Sequence, residues 1–456
     1  MYRVENDSLG QLNVPQEALW GIHTQRALQN FVSSGLPQRS AFYKALAQVK
    51  LVAAKVNLKL GYLEKTIGEA LVSVLETMVD GKAFESFVVD PMQGGAGTST
   101  NMNINEVAAN LATIKLGGNL GQYLVHPLEH VNLHQSTNDV YSTALKIAVY
   151  AMLQPLEQEL NQLLVVFQEK EKQFQNSLRM GRTELLPAVP YTFGQTFGAY
   201  AQVFGRDRWR IFKAMERIRQ VNLGGTAIGT GVNAPLDYIF QVSDELRSIT
   251  GFPIARAENM VDATQNLDQI AEVFSAIKIV ALNLEKVSND LRKMLMLEEI
   301  VIPNVQVGSS AMPGKYNPVI LEMISSIAKK IIGNEVSASM AIAQGEFELN
   351  AFSPLITCVM LESLELLTQG IGILTGDCLQ GLTLNDHHIV KQIRMSPVSA
   401  TLLVKKYGYQ KATEVAVFMQ KESVDLVKAA TEVLQIDPVE VEVLLSIEKL
   451  RSLGHD

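Results

Sequence analysis

Apolar residues recur at three- and four-residue spacing over long stretches of this chain. They do so first in 41–60 (AFYKALAQVKLVAAKVNLKL) and again over about 140–178, 194–222, 266–299, 317–345 and 355–378. That spacing fills one face of a 3.6-residue helix, so the chain is predicted to be mainly α. In 143–153 (TALKIAVYAML) and 320–333 (ILEMISSIAKKIIG) the apolar positions run round most of the circumference. Such a helix needs burial on most sides, which means the centre of a bundle or a subunit interface. The pattern therefore predicts a central bundle of long helices in a homo-oligomer. Pro, Gly, Asn and Asp gather around 89–104, 126–139, 181–190, 223–237, 301–318 and 381–397. Three domains are placed on these breaks: 1–137, 138–393 and 394–456, the last a small helical cap.

Composition narrows the class. With 456 residues the chain has ample length for a large core, and 39 Lys and Arg against 47 Asp and Glu give a formal charge of -8 with no long block of either sign. A nucleic-acid partner would require a basic footprint, and none is visible. Cys358 and Cys378 both sit in apolar helical stretches, which argues against a disulfide framework or a Cys-rich zinc site and fits a reducing cytoplasm. The start, MYRVENDSLG, has neither a basic head nor an apolar core, and no long window is free of charged or strongly polar residues. A cytoplasmic protein with no membrane partner is expected.

Four polar breaks carry the chemistry: GGAGTSTNMNINE (94–106), NLHQSTND (132–139), GRTELL (181–186) and GSSAMPGKYNP (308–318). Each sets Thr, Ser or Asn beside an expected helix end, where hydroxyls and free N–H groups cap the helix or bind an anion without a metal. The last adds two hydroxyls (Ser309, Ser310), a cation (Lys315) and an amide (Asn317), a set suited to holding a carboxylate and moving a proton. Any one segment reads as an ordinary cap or surface loop; the four together with Lys315 read as a site that holds a carboxylate.

These residues resemble the fumarase/aspartase superfamily over nearly the whole chain. GSSAMPGKYNP is similar to its signature loop GSSxMPxKxNP, and the other segments follow in the family's order. GGAGTSTNMN and QSTND look like the aspartate ammonia-lyase versions, where fumarases usually read GSGTxSNMN and QSSND. The entry segment, YRVENDSLGQLNVPQEALWGIHTQRALQNF, is also similar. The resemblance implies the three-domain fumarase/aspartase-like fold, with a core of about 20 helices in a homotetramer and active sites each shared between subunits. It implies an anti elimination from a succinate skeleton to give fumarate, with no organic cofactor and no metal. Carried over, Ser309 is the base. Lys315, Asn317 and Thr183 hold the α-carboxylate, and Thr98, Ser136, Thr137 and Ser310 the β-carboxylate. Asn138 meets the leaving amine. Removing a proton next to a carboxylate creates a doubly negative aci-carboxylate, so preorganised donors must face that charge. Ser309, a weak base in water, must be ionised in a loop that closes and supplies N–H donors, with Gly308 and Gly314 as hinges.

Three positions depart from the family pattern. Glu184 stands where relatives carry His or Gln, and a carboxylate suits an ammonium leaving group better than a hydroxyl; its alternative is a solvent-facing residue at a helix N-terminus. Family alignment brings Glu322 close to it, so the two carboxylates are expected to share a proton and act as the general acid. Leu133 and His134 replace a usual Lys and Ser. His126, His130 and His134 repeat at four-residue spacing, but Pro127 argues against the helix a metal site there would need. The reading is a carbon–nitrogen lyase acting on L-aspartate. A fumarate hydratase or a lyase for an N-substituted aspartate is the alternative of the same fold, and a non-catalytic helical scaffold the alternative of another class.

Overall fold

The computed structural model describes residues 1–36 and 39–451, apart from the side chains at positions 386 and 387. A hairpin of β1 (Tyr2–Asp7) and β2 (Gly10–Pro15) leads into α1 (Ile22–Asn30), α2 (Ser40–Lys59), α3 (Lys65–Val79) and α4 (Thr98–Lys115). A π-helical turn over Pro127–Val131 precedes α5 (Thr137–Gln173), the hairpin β3 (Leu178–Thr183) and β4 (Leu186–Thr192), and α6 (Phe193–Arg217). Next come β5 (Gln220–Val221), α7 (Leu236–Thr250), β6 (Ala255–Arg256), α8 (Met260–Gln265), α9 (Asp268–Met296) and β7 (Ile300–Val301). The chain goes on through α10 (Val319–Ala343), α11 (Ser353–Ile373), β8 (Thr383–Leu384) and α12 (Asp386–Met395) to short helices over 397–451. β5 and β6 pair in parallel; the other three pairs, β1–β2, β3–β4 and β7–β8, are antiparallel. The six long periodic patterns are all helices, and the protein is mainly α.

Contacts divide the chain into two compact units. The first comprises Met1–Glu157, Trp209–Ala281 and Lys329–Thr368, the second Gln158–Arg208, Leu282–Ala328 and Gln369–Asp456. In the first, α2 packs against α3 and α7 and buries residues round its whole girth, among them Phe42, Leu46, Val49, Lys50 and Ala53. This is why its sequence is apolar at most positions yet has no clean polar face. Helix α4 is the reverse case, because Asn101, Asn103, Asn105 and Asn110 are all buried on it. Two of these amides fasten loops: Asn103 donates to Ser86 O and accepts from Val88 N, and Asn110 donates to Leu19 O and accepts from Gly121 N. A buried amide needs such partners to offset its lost hydration. Glu106, also on α4, accepts from the N–H groups of Gly21, His23 and Thr24 and so ties the entry segment to the helix.

In the second unit α12 packs on β3, and the rings of Phe167, Phe197 and Phe204 stack along the facing helices. Of the two stretches apolar all round, Thr143–Tyr150 is buried within the chain itself. The second, 320–333, buries Ile320, Leu321, Ile324, Ala328 and Ile331 and exposes Glu322, Ser326, Lys329 and Lys330, while further along α10 Val336 is 51% and Met340 63% exposed. The segment Ser353–Leu379 is long and apolar enough to cross a membrane, but 61% of that window is buried in the fold, as in a core helix.

Candidate active site

In the first unit the site residues stand at two helix N-termini. Thr98 opens α4 after Gly95, Ala96 and Gly97, which have φ of +78°, +57° and +94°. Gly97 has no substitute: its φ is left-handed, and a Cβ there would lie 2.3 Å from the Tyr141 ring. The Thr98 hydroxyl donates to Gly95 O at 2.8 Å, and the residue is exposed. Ser136, Thr137 and Asn138 open α5. Ser136 Oγ accepts from Asn138 N at 3.3 Å, Thr137 Oγ1 accepts from Asn101 Nδ2 at 3.2 Å, and Asn138 Nδ2 donates to Ala227 O at 2.7 Å. Asn138 therefore has its carbonyl oxygen to offer a donor such as an ammonium.

Behind these ends lies a buried polar layer. Asp139 is fully buried and accepts from Ser136 N (2.9 Å), Gly224 N (3.0 Å) and Thr226 N (3.1 Å). Burial pushes its carboxyl up to about 6, against the lowering effect of those N–H donors. Lys50, also fully buried, donates to Asn132 Oδ1 and Gln135 Oε1, both at 2.9 Å, and burial pulls its ammonium down to about 7. Lys50 belongs to none of the polar segments, and Asp139 closes NLHQSTND without a role of its own in the sequence reading. A lone lysine inside the apolar run QVKLVAA, and the i, i+4 pair Asn101 and Asn105, were the available signals.

In the second unit GRTELL lies on a β-hairpin, not at a helix end. Thr183 closes β3 opposite Leu186, and the two-residue tip, Glu184 and Leu185, has φ of +53° and +70°. Both tip residues being left-handed is the twist that joins tightly paired strands, usually taken by Asn and Gly. Glu184 is exposed at this tip, and Leu185 and Leu186 are each 68% exposed. Glu299, fully buried, accepts from Arg179 and Arg182 and so anchors β3 beside the start of β7. Glu322 lies in the first turn of α10, 3.5 Å from Arg292. No hydrogen bond joins it to Glu184 within the chain.

The signature loop closes on itself. Gly308 N donates to Lys315 O at 3.0 Å, and Asn317 Nδ2 donates to Gly308 O at 2.6 Å. A Cβ on Gly308 would come within 2.6 Å of Lys315 O and 2.8 Å of Asn317 N, so only glycine lets the strands of the loop meet. Gly314 turns it with φ +80°. Within this turn Ser309 Oγ accepts two backbone N–H groups, from Ala311 at 3.2 Å and Met312 at 2.9 Å. Ser310 and Lys315 are exposed beside it. Two N–H dipoles aimed at a hydroxyl oxygen favour its ionised form.

The three histidines do not converge. His126 Nδ1 caps the π-helical turn through Leu128 N and Glu129 N, His130 Nδ1 accepts from His126 N, and His134 bonds Asn57. Among the described residues no group of three His, Cys, Asp or Glu is arranged to hold a metal ion.

Hydroxyls at helix ends and a serine in an N–H cradle are donors of the kind that a carbanion next to a carboxylate requires. Residues 10–333 match the pattern of a family described as Lyase. Aspartate ammonia-lyase of Bacillus subtilis (strain 168) is 40% identical over 421 residues, 91% of this chain and 89% of that one. Among solved structures, the fumarate lyase:delta crystallin from Brucella melitensis, bound to cobalt, superposes with a TM-score of 0.93 at 38% identity over 99% of both chains. Class II fumarase from Schistosoma mansoni gives a TM-score of 0.92 at 30% identity over 98% of this chain and 99% of that one. The chain belongs to this lyase family and has the fumarase/aspartase fold; it is an aspartate ammonia-lyase-like enzyme.

Proposed function

We propose that the protein eliminates ammonia from L-aspartate to give fumarate, by anti elimination through an aci-carboxylate. The observation that carries this reading is the Ser309 hydroxyl oxygen, cradled by the N–H groups of Ala311 and Met312 in the signature loop. As an alkoxide held by those dipoles, Ser309 takes the proton from the carbon next to the β-carboxylate. The charge that develops falls on hydroxyls and N–H groups around Thr98, Ser136, Thr137 and Ser310, which need not reorganise. Lys315, with Asn317 and Thr183, holds the α-carboxylate, and the Asn138 carbonyl oxygen receives the amine. Glu184, paired with Glu322, gives a proton to an amine that arrives neutral and so keeps it in the ammonium form, from which it leaves as ammonia. No step in this scheme uses an organic cofactor or a metal.

The enzyme works as a homotetramer, each active site drawing on several subunits, in the cytoplasm. The apolar stripe of α10 left open by Val336 and Met340 supports assembly, and two free buried cysteines fit a reducing compartment. A second reading, a lyase for an N-substituted aspartate, is favoured by one feature: Leu185 and Leu186 follow Glu184 at an exposed tip, an apolar border for a substituent on the amine.

Fumarate absorbance tests these readings, with L-aspartate, L-malate and N-alkylated aspartates offered separately. Release from aspartate is expected. Release from malate alone would make the enzyme a hydratase, and none from any of them would return the chain to a scaffold role. Lys315→Met is expected to raise KM for aspartate about tenfold or more with a smaller fall in kcat, because it removes a charge-assisted contact present in ground and transition states alike. An unchanged KM would remove Lys315 from the carboxylate site.

A further inference from the structure

Asn132 Oδ1 is a hub in the first unit. It accepts from Lys50 Nζ on α2 at 2.9 Å, from Asn101 Nδ2 on α4 at 3.1 Å and from Asn105 Nδ2 on α4 at 3.2 Å. Asn101 also reaches Thr137 Oγ1 on α5, and Asn132 Nδ2 donates to Gln135 O, next to Ser136. Gln135 Oε1 takes the second Lys50 bond, while its Nε2 holds Val131 O and Leu133 O. One buried ammonium thus fastens the turn leading into α5 and, through the same oxygen, the first turns of α4. Asn101 and Asn105 turn their NH2 groups to this hub although their own Oδ1 atoms are buried without a protein partner. The arrangement is organised around the Asn132 oxygen, on which the ammonium and the two amides converge.

We propose that Lys50 is a positioning residue: its ammonium holds the carboxylate-binding ends of α4 and α5 in register, and a dicarboxylate bound there draws a proton onto it. This rests on the reading of Ser136 and Thr137 as carboxylate ligands.

The surroundings of Lys50 make the proton available. Burial brings its ammonium down to about 7, with Asp139 of α5 acting in the opposite sense. The elements packed on α2 also bring Asp237 and Tyr238 of α7, Glu129 and His130 of the π-helical turn, and His134 after it; burial pushes the Tyr238 hydroxyl far up and pulls the rings of His130 and His134 down. Helix α4 contributes amides, and α3 packs with the apolar Leu71, Val74 and Leu75. Above neutrality Asp139 is therefore ionised, Tyr238 and His134 are neutral, and Lys50 is the group between its two states. A bound dianion favours the charged form, so binding takes up a proton. By linkage, affinity for a dicarboxylate falls as pH rises through the Lys50 transition.

Calorimetric titration of the full-length assembled protein with succinate, at about pH 8 in two buffers of different ionisation enthalpy, measures the protons exchanged. Net uptake of a large part of one proton is expected for the wild type, together with about tenfold weaker binding and no uptake for Lys50→Met. Lys50→Arg, charged throughout, is expected to bind without uptake, and it serves if Lys50→Met does not fold. Binding without uptake in the wild type, or equal uptake in the variants, overturns the proposal. A wild type that does not bind succinate at all overturns the carboxylate reading itself, and the proposal with it.

Discussion

Replacing Ser309 by alanine is expected to lower the rate of fumarate formation by about three orders of magnitude, with helix content and assembly as in the wild type. The variant removes the atom that accepts from Ala311 N and Met312 N, in a turn that lies outside the packed helices. The fold therefore loses two local hydrogen bonds and no core contact. The Asn317 to Gly308 clasp, which sets the shape of the loop, does not involve the serine side chain. Such selectivity separates a base from a structural residue: kcat should collapse while succinate still binds. A variant retaining more than a tenth of the activity would show that another group takes the proton.

Two inactive variants mixed together are expected to recover activity. Thr183→Val and Ser309→Ala each disable one ligand, and the proposed site takes those two residues from different chains. After full subunit exchange at equal amounts, about one site in four carries neither change. Recovery to about a quarter of the wild-type rate is thus the expected value, measured after mild denaturant or salt has driven exchange. Activity that stays at the level of the separate variants, with exchange shown by mass-tagged subunits, would place Thr183 and Ser309 of each site on one chain.

The helices were legible because burial leaves a periodic trace. α2, α5, α9 and α11 are long, and their core positions repeat at the helical period, so chemistry and geometry agree along each of them. The hairpin that carries Thr183 and Glu184 left no such trace. Its tip places Glu and Leu at left-handed φ where Asn-Gly is the usual signal, and the paired strands are only six and seven residues long. Helix α4 was obscured for another reason: its inward face is built of Asn101, Asn103, Asn105 and Asn110, which read as loop residues until their partners are seen. The signature loop was legible through its glycine, proline and serine chemistry, but the Ser309 cradle depends on where two backbone N–H groups point. Lys50 and Asp139 are the furthest from the sequence, since a buried charge is recognised by what surrounds it. Each sits one or two residues from ordinary apolar neighbours, and apart from the local bond from Ser136 N to Asp139 the contacts cited for them come from segments 82 to 87 residues away.

Running the reaction backwards tests the anti elimination of ammonia most directly. Fumarate and ammonium are incubated with the protein in deuterium oxide, and the product is followed by proton NMR. L-Aspartate carrying a single deuterium at C3 is expected, on the face that anti addition of ammonia and deuteron across the double bond dictates. Malate as the only product, aspartate labelled on both faces, or fumarate left unchanged would contradict it.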